Sequence, residues 1–482
     1  MPRTHHPAAV ARSGAVYTAA LVFQKILSFA YFSVLARALG PEALGTYIFA
    51  LSFAAFFSLV ADFGIVPLAI RTFSQNPSQQ REHFTALFSI RVFCSLLALL
   101  VLHGLAFVLG YAPELRLLLA ITSVIMVMDA FTAYCYAVFR SRQNLLYESL
   151  GTMLFQVIIF SSGLLVIART HDLRLLLAVI AAGSLFHIVF ASFLITRKAK
   201  IAFRLRLRFS ALKQWLGRAI PFFMAAGFIK AYNTIDSILL KNLVGDEAVG
   251  LYAIPAKIVF TFPFIALAVT AAVYPAMSHY AVESKDRLQS VFLRTLQLLL
   301  TVSLPISVGI FLLAGPIVTR IWPEFAASIP ALKILIWAVV FLYIEFPFGS
   351  LLNATGHERA NTANRGIQLA LFVALNLILI PYYGFMGAVY AALFSSVVIV
   401  FLGWIAARRI VPVFTLRFTA SLAKLLIASS LMGLAVYYLR GEYSFLIIIP
   451  VAVVLYGMLL LLLRAYSGED WRWLKSVLQM GT

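Results

Sequence analysis

The sequence predicts an all-α polytopic membrane protein with about 14 transmembrane helices: two parallel six-helix repeats around a central cavity, then two C-terminal helices. Three observations predict it. Of 482 residues, 62% are hydrophobic and only 12% charged. Soluble domains run nearer half apolar and a quarter charged, so the apolar excess must face lipid. The apolar runs are also long and lack the alternation of barrel strands, which favours helices. Finally, ALGPEALGTY at 38–47 returns as LVGDEAVGLY at 243–252. Without gaps, the same offset pairs Phe23 with Phe228, Lys25 with Lys230 and Leu35 with Leu240, so that eight of the twenty-five positions from 23 to 47 agree.

At about twenty residues per crossing, the spans fall at 15–36, 45–68, 84–109, 115–139, 150–168, 173–196, 219–241, 248–276, 291–314, 328–352, 364–381, 387–407, 419–438 and 443–464. The first run is too long for a signal-peptide core and has no small-residue cleavage site, so it is expected to be retained. The links between runs alternate in charge. With the N-terminus cytoplasmic, inside segments hold twenty-three Lys and Arg and outside segments six. Both termini are therefore expected in the cytoplasm, in a multi-pass protein of the inner (cytoplasmic) membrane. The chain divides into an N-terminal tail (1–14), a six-helix bundle (15–196), a basic cytoplasmic linker (197–218), a second six-helix bundle (219–407), and two further helices with a tail (408–482).

The linker RKAKIAFRLRLRFSALKQWLGR carries eight basic residues. It reads either as a surface for anionic lipid headgroups or as a topogenic connection lying on the membrane, and the second reading is preferred. The net charge of +20 sits mainly in such links. That is a topology signature, and no nucleic-acid partner is expected. Cys94 and Cys135 fall inside apolar runs without CxxC spacing or a histidine cluster, so they read as buried small hydrophobes. No metal or cofactor is expected.

The repeat moves the first span onto the seventh and the second onto the eighth. Six helices lie between, so both copies enter from one side, which makes the repeat parallel. A second echo agrees: the link and helix from Arg140 and the link and helix from Ala354 share one layout. In the repeated loop, Gly40 and Gly245 suit a left-handed residue ending a helix. Glu42 and Glu247 then sit in the next helix's first turn, where its dipole favours an anion, and Pro41 fits the same start. Gly45 and Tyr47 mark close packing. The loop reads as a structural hairpin.

Charges within spans are costly and usually functional. Here they are Lys25, Asp62, Arg91, Asp129, Lys230, Asp236, Lys257, Arg294 and Glu345. Lys25 and Lys230 lie mid-span, too deep to snorkel. At 100° per residue, Lys230, Asn233, Thr234, Ser237 and Lys241 share one face. These lysines either line a cavity, the preferred reading, or pair with Asp236 or Asp62. Lys257 follows Pro255, where a helix break is expected. Arg91 and Arg294 lie close enough to the inside to snorkel. In ADFGIVPLAIR, Gly64 and Pro67 can break the helix, leaving Asp62 and Arg71 as an inner gate or a capped helix end. Asp129 and Glu345 are candidates for proton or cation coupling, or partners for the cavity lysines. A kink is expected at Pro347.

LARALGPEALGTYIFA, LVADFGIVPLAIR, NTIDSILLKNLVGDEAVGLYAIPAKI and LLNATGHERANTANRGIQLALFVALNLILIPYYGFMGAVYAAL resemble the polysaccharide-export branch of the multidrug/oligosaccharidyl-lipid/polysaccharide exporter superfamily. The likeness is strongest to Wzx-type flippases of lipid-linked oligosaccharides, over roughly residues 14–75, 220–280 and 345–400. The resemblance implies alternating access and transport of a polyprenyl-diphosphate-linked oligosaccharide, as in O-antigen and other cell-envelope polysaccharide biosynthesis. The implied partners are that anionic lipid-linked sugar, membrane lipids and other polysaccharide-assembly proteins, with coupling to a proton or sodium ion left open. The expected substrate-binding residues are Lys25, Lys230, Asn233, Thr234, Ser237 and Lys257; those for gating or coupling are Asp62, Arg71, Asp129, Asp236 and Glu345. A peptidoglycan lipid-precursor flippase and a drug or organic-cation antiporter of the same superfamily are the alternatives. An enzyme is not expected: the outer links are short and carry no HExxH or serine-nucleophile motif.

Overall fold

The computed structural model describes residues 7–205 and 209–470, with side chains described from Ala19 onward except at 209–212 and 225. Among these residues the chain is helical throughout, without strands. It forms two compact units that divide between Asn242 and Leu243.

Unit 1 contains α1 (Pro7–Asp62), α2 (Ile65–Gln75), α3 (Gln80–Val108), α4 (Pro113–Ser141), α5 (Leu146–Ile167), α6 (Leu173–Leu194) and α7 (Phe209–Tyr232), with α8 (Ile235–Leu243) ending at the division. α1 packs on α3, α4 and α5, α4 packs on α6, and α7 lies against α1, α2 and α3. The sequence division was placed in the linker 197–218. The packing instead groups the helix after that linker with the first unit.

Unit 2 contains α9 (Asp246–Val259), α10 (Pro263–Glu283), α11 (Lys285–Ile321), α12 (Ile329–Leu335), α13 (Ala338–Ala354), α14 (Glu358–Tyr383), α15 (Phe385–Ala407), α16 (Leu416–Leu439) and α17 (Phe445–Leu462). α10, α11 and α13 pack mutually, α15 joins α13 and α14, and α16 docks on α11 and carries α17. Among its described positions α17 buries only Ile448 and Tyr456. Its remaining apolar side chains, such as Val453 and Leu462, form part of the lipid-facing surface.

Eleven helices among the described residues are long and apolar enough to cross a membrane, or twelve if the pair Pro323–Leu335 and Ala338–Ala354, bent by 41°, counts as one. Fourteen were expected, and the difference lies in where the backbone breaks. The first two expected spans fall on one apolar element, Ala19–Gln75. A straight helix of that length would be more than twice the thickness of the hydrocarbon core; the chain breaks at Gly40. The seventh expected span is interrupted at Asn233 and Thr234, leaving pieces that do not qualify alone.

The repeated loop has a common backbone. Gly40 adopts φ 71°, ψ 177° and Gly245 adopts φ 124°, ψ −176°. Both lie in a region essentially reserved for glycine, extended in ψ rather than the left-handed helical geometry expected. Asp246 and Glu247 occupy the first turn of α9, where the helix dipole favours anions. Two expected breaks move. α9 runs through Pro255 to Val259, and the chain breaks at 260–262. α13 runs through Pro347, with the bend before it, between Leu335 and Ala338.

Candidate functional site

Three helices of unit 1 each present one stripe to a common cavity of about 530 Å³. On α1 the stripe is Leu51, Ala54, Ala55, Ser58, Leu59 and Asp62; on α4 it is Thr122, Ile125, Met126, Asp129, Ala130 and Ala133. α7 contributes Phe223, Ala226, Gly227 and Lys230. All follow the i, i+3, i+4, i+7 spacing of a single helical face. Small residues keep the space open, and every stripe includes an ionisable group.

The backbone at Asp62 explains why the cavity forms there. Phe63 (φ 42°) and Gly64 (φ 71°) both turn left-handed between α1 and α2. A Cβ at Gly64 would lie 2.6 Å from the Phe223 nitrogen and 2.7 Å from the Ala219 oxygen, so only glycine lets α7 approach. Pro67 sits in the first turn of α2, where a proline is tolerated. Arg91, on α3, reaches this break. Its guanidinium donates to the Asp62 carboxylate and to the Ala130 carbonyl, with a longer contact of 3.4 Å to the Asp62 carbonyl. Arg91 is 1% exposed. It is a buried cation, so of the two readings its position left open, snorkelling does not hold here. Asp62 pairs with Arg91, and Arg71 lies exposed on α2, so of the two readings of this segment the surface arginine fits and the Asp62–Arg71 contact is not formed here.

Asp129 accepts a hydrogen bond of 2.8 Å from Ser184 Oγ. It also lines a second cavity of about 300 Å³, with Tyr136, His187 and the Arg140–Glu148 ion pair. In that pair Arg140 Nε donates to Glu148 Oε2 at 2.7 Å. Lys230 is exposed to the first cavity, with Asp62 and Asp129 in electrostatic reach. Among the described residues no hydrogen bond or ion pair fixes its ammonium. Two acids and two bases line this cavity, so it is formally charge-balanced rather than simply cationic.

The other expected residues lie elsewhere. Lys25 is exposed on α1 and is not part of the lining. At the α7–α8 break Asn233 is exposed, while Thr234, Asp236 and Ser237 are buried. There Thr234 Oγ1 donates to the Lys230 carbonyl at 2.9 Å, and the Ser237 N–H donates to the Asp236 carboxylate at 2.7 Å. Lys257 is half-buried on α9 of unit 2. Glu345 is buried on α13 and pairs with Arg365 of α14 at 2.9 Å. The structure therefore brings Asp62, Asp129 and Lys230 together and adds Arg91. Among the described residues no group of three or more His, Cys, Asp or Glu could hold a metal ion.

Residues 10–281 match the family described as polysaccharide biosynthesis protein, more than half of the chain. The chain belongs to this family. Residues 221–378 also match the MatE family. Among relatives, a Shigella flexneri protein described as an O-antigen transporter is 23% identical over 73% of this chain and 87% of its own length. A Haloferax volcanii protein described as the flippase AglR is 24% identical over 47% of this chain, and the match spans about half (48%) of that relative. Among solved structures, the lipid II flippase MurJ in an inward closed conformation matches with TM-score 0.77 at 16% identity, covering 92% of this chain and 98% of its own. An inward-facing multidrug resistance MATE family transporter gives 0.62 at 13% identity, covering 82% and 98%. These likenesses establish the fold of this polysaccharide biosynthesis family member as that of the flippase and transporter superfamily.

Proposed function

We propose that this member of the family flips a polyprenyl-diphosphate-linked oligosaccharide from the cytoplasmic to the outer leaflet of the inner membrane by alternating access, with both termini cytoplasmic. The observation that carries the reading is Lys230: a cation on the inner face of α7, facing a cavity and, among the described residues, held by no ion pair. A charge without a fixed partner inside an apolar bundle is expensive and is kept where it is used. A diphosphate entering the cavity can take Lys230 as its partner while the lipid tail stays in the bilayer. Serine and threonine hydroxyls in the lining can meet sugar hydroxyls, and no covalent step is required. Asp62 and Asp129 are the features that favour the antiporter alternative, since cationic cargo needs carboxylates. Asp62 is already paired with Arg91, whereas Asp129 accepts only a hydrogen bond from Ser184 and faces Lys230, which would repel a cationic cargo. Lys25, Asn233, Thr234, Ser237 and Lys257 remain proposed contacts along the route, and Arg71, Asp236 and Glu345 proposed gating or coupling groups.

The test is a deletion strain complemented with variants, its lipid-linked sugars quantified by mass spectrometry on each side of the membrane. Lys230→Arg keeps the charge with altered geometry and is expected to retain part of the export. Lys230→Gln loses a charge-assisted contact and should reduce export about 10- to 100-fold, with protein level unchanged. Wild-type export by Lys230→Gln would remove the lysine from the mechanism. Absence of any lipid-linked sugar from the deletion strain's inner leaflet would remove the cargo assignment itself.

A further inference from the structure

The linker after α6 is anchored in a way its sequence alone does not require. The end of α6 widens into a π-helical turn over Ile195–Ala199, Lys200 turns left-handed (φ 56°), and 201–205 form no regular element. Ala199 and Ile201 are buried in the core of unit 1. Phe203 packs against the rings of Phe84, at 5.6 Å, and Phe88, at 5.3 Å, on α3. With inward positions filled, Arg197, Lys198, Lys200 and Arg204 project outward and exposed. No acidic residue occurs anywhere in 197–218, and none of these four bases has an ion-pair partner among the described residues. Where the chain is described again, Trp215 is buried against His83, and Arg218 stacks on its ring at 5.1 Å. Leu205, 57% exposed, lies beside Arg204.

A topogenic signal needs only positive charge in the emerging chain and makes no demand on its folded shape. Here the bases are instead held by apolar plugs to the bundle that spans the membrane, so their depth is fixed. Unneutralised cations beside an exposed leucine match an anionic leaflet in charge and in polarity. We propose that Arg197, Lys198, Lys200 and Arg204 form a rigid docking surface for the headgroups of anionic phospholipids, which bind there as annular partners of unit 1. This inference does not depend on the cargo.

The full-length protein, purified from vesicles of phosphatidylcholine with 30% phosphatidylglycerol, would be examined by native mass spectrometry for retained lipid. Wild type should retain phosphatidylglycerol in excess of its share, and 0.5 M NaCl should reduce that excess as the charges are screened. Each neutralised base should lower the preference about fivefold, the factor equivalent to about 1 kcal/mol per basic residue near a charged surface. Lys200→Gln and Arg204→Gln are read singly, since each leaves most topogenic charge in place; the fourfold Gln variant is read if it inserts. Phe203→Ala keeps every charge but removes the plug, and should also weaken the preference. Equal retention of both lipids by wild type, or undiminished preference in Lys200→Gln and Arg204→Gln, would overturn the proposal. An undiminished preference in Phe203→Ala would reduce the segment to a flexible basic linker and overturn it equally.

Discussion

Removing the Arg91 charge tests whether the cavity wall is built on a buried ion pair. Arg91→Gln withdraws a cation from the Asp62 carboxylate and from the Ala130 carbonyl at one stroke. Breaking a buried pair from one side costs about 3–5 kcal/mol, and here the loss should fall in the lower part of that range, because the Asp62 side chain left behind is 31% exposed to the cavity. Asp62→Asn leaves an amide oxygen that still accepts from Arg91 but strands a guanidinium that is 1% exposed, so its cost should be comparable, about 3 kcal/mol. The double variant holds two neutral amides and no stranded charge, so the single effects should not add; a coupling of roughly 1–3 kcal/mol is expected. The protein supplies its own reporter. Its two cysteines are free and buried, and Cys94 lies one helical turn from Arg91 on α3. The rate at which a thiol-reactive fluorophore labels Cys94, in a Cys135→Ser background, follows the opening equilibrium when reclosing is fast. Arg91→Gln should label about 100- to 1000-fold faster than its parent, and the double variant at least about fivefold slower than additivity predicts. Parental labelling by Arg91→Gln, or strict additivity, would refute the buried pair.

Gly64→Ala places a methyl group against the α7 backbone at a position with φ 71°. It should destabilise unit 1 by more than about 1 kcal/mol, read as faster Cys94 labelling, whereas Gly217→Ala meets nothing within 4 Å and should be silent. Beyond α17, Ser467 and Asp470 form a reciprocal cap: the Ser467 N–H donates to the Asp470 carboxylate at 2.9 Å and the Asp470 N–H to Ser467 Oγ at 3.3 Å. Burial alone would raise the Asp470 pKa; the Ser467 hydrogen bonds, with Arg417 and Arg294, outweigh it and hold the carboxyl below its usual value. A lowered carboxyl contributes stability above the unfolded pKa of about 3.9 and loses it as pH falls through the folded value. Asp470→Asn should therefore speed amide exchange of Ser467 at pH 7, and the difference should begin to shrink near the unfolded pKa and vanish only below the lowered folded value; parallel profiles would contradict the cap.

The fold is legible because hydrophobicity and charge asymmetry act over twenty residues at a time, and every expected span falls mostly on helix, with breaks inside those at 45–68, 219–241, 248–276 and 328–352. The breaks are less so. They depend on pairs such as Phe63 and Gly64 or Asn233 and Thr234, whose conformations are set by what packs behind them. Pro255 and Pro347 drew attention and proved tolerated within their helices. In the site, the stripes on α1, α4 and α7 carry Asp62, Asp129 and Lys230 among small and apolar residues, whereas the face expected from the sequence ran from Lys230 to Lys241, across the break at 233–234. The sequence left Arg91 undecided because depth along α3 says nothing about a partner on another helix. The repeat also misled locally. Lys25 and Lys230 correspond in sequence, but Lys25 lies in unbroken helix while Lys230 stands three residues before a break.

That break bears on how a charge-balanced cavity can serve an anionic cargo. A cavity holding only cations would pay for them whenever it stood empty, and would release its cargo reluctantly. With Asp62 and Asp129 present, the empty site is formally neutral, and an entering diphosphate competes with carboxylates for a cation. The two cations are not equivalent in that competition. Arg91 is held by Asp62 and by a backbone carbonyl, so freeing it means undoing the α1–α2 break. Lys230 has no fixed partner, and its helix ends at Tyr232, so it can turn towards either an internal carboxylate or the cargo. A ligand shifts a conformational equilibrium only by its difference in affinity between the two states. On the proposed reading, Lys230 supplies that difference and Arg91 holds the wall against which it is measured. Fixing Lys230 should therefore be as damaging as removing it: a carboxylate placed one turn away, as in Ala226→Glu, should slow export at least about tenfold while leaving Cys94 as protected as in the parent. Loss of that protection would place the damage in the fold, and unimpaired export would show that the freedom of Lys230 has no part in transport.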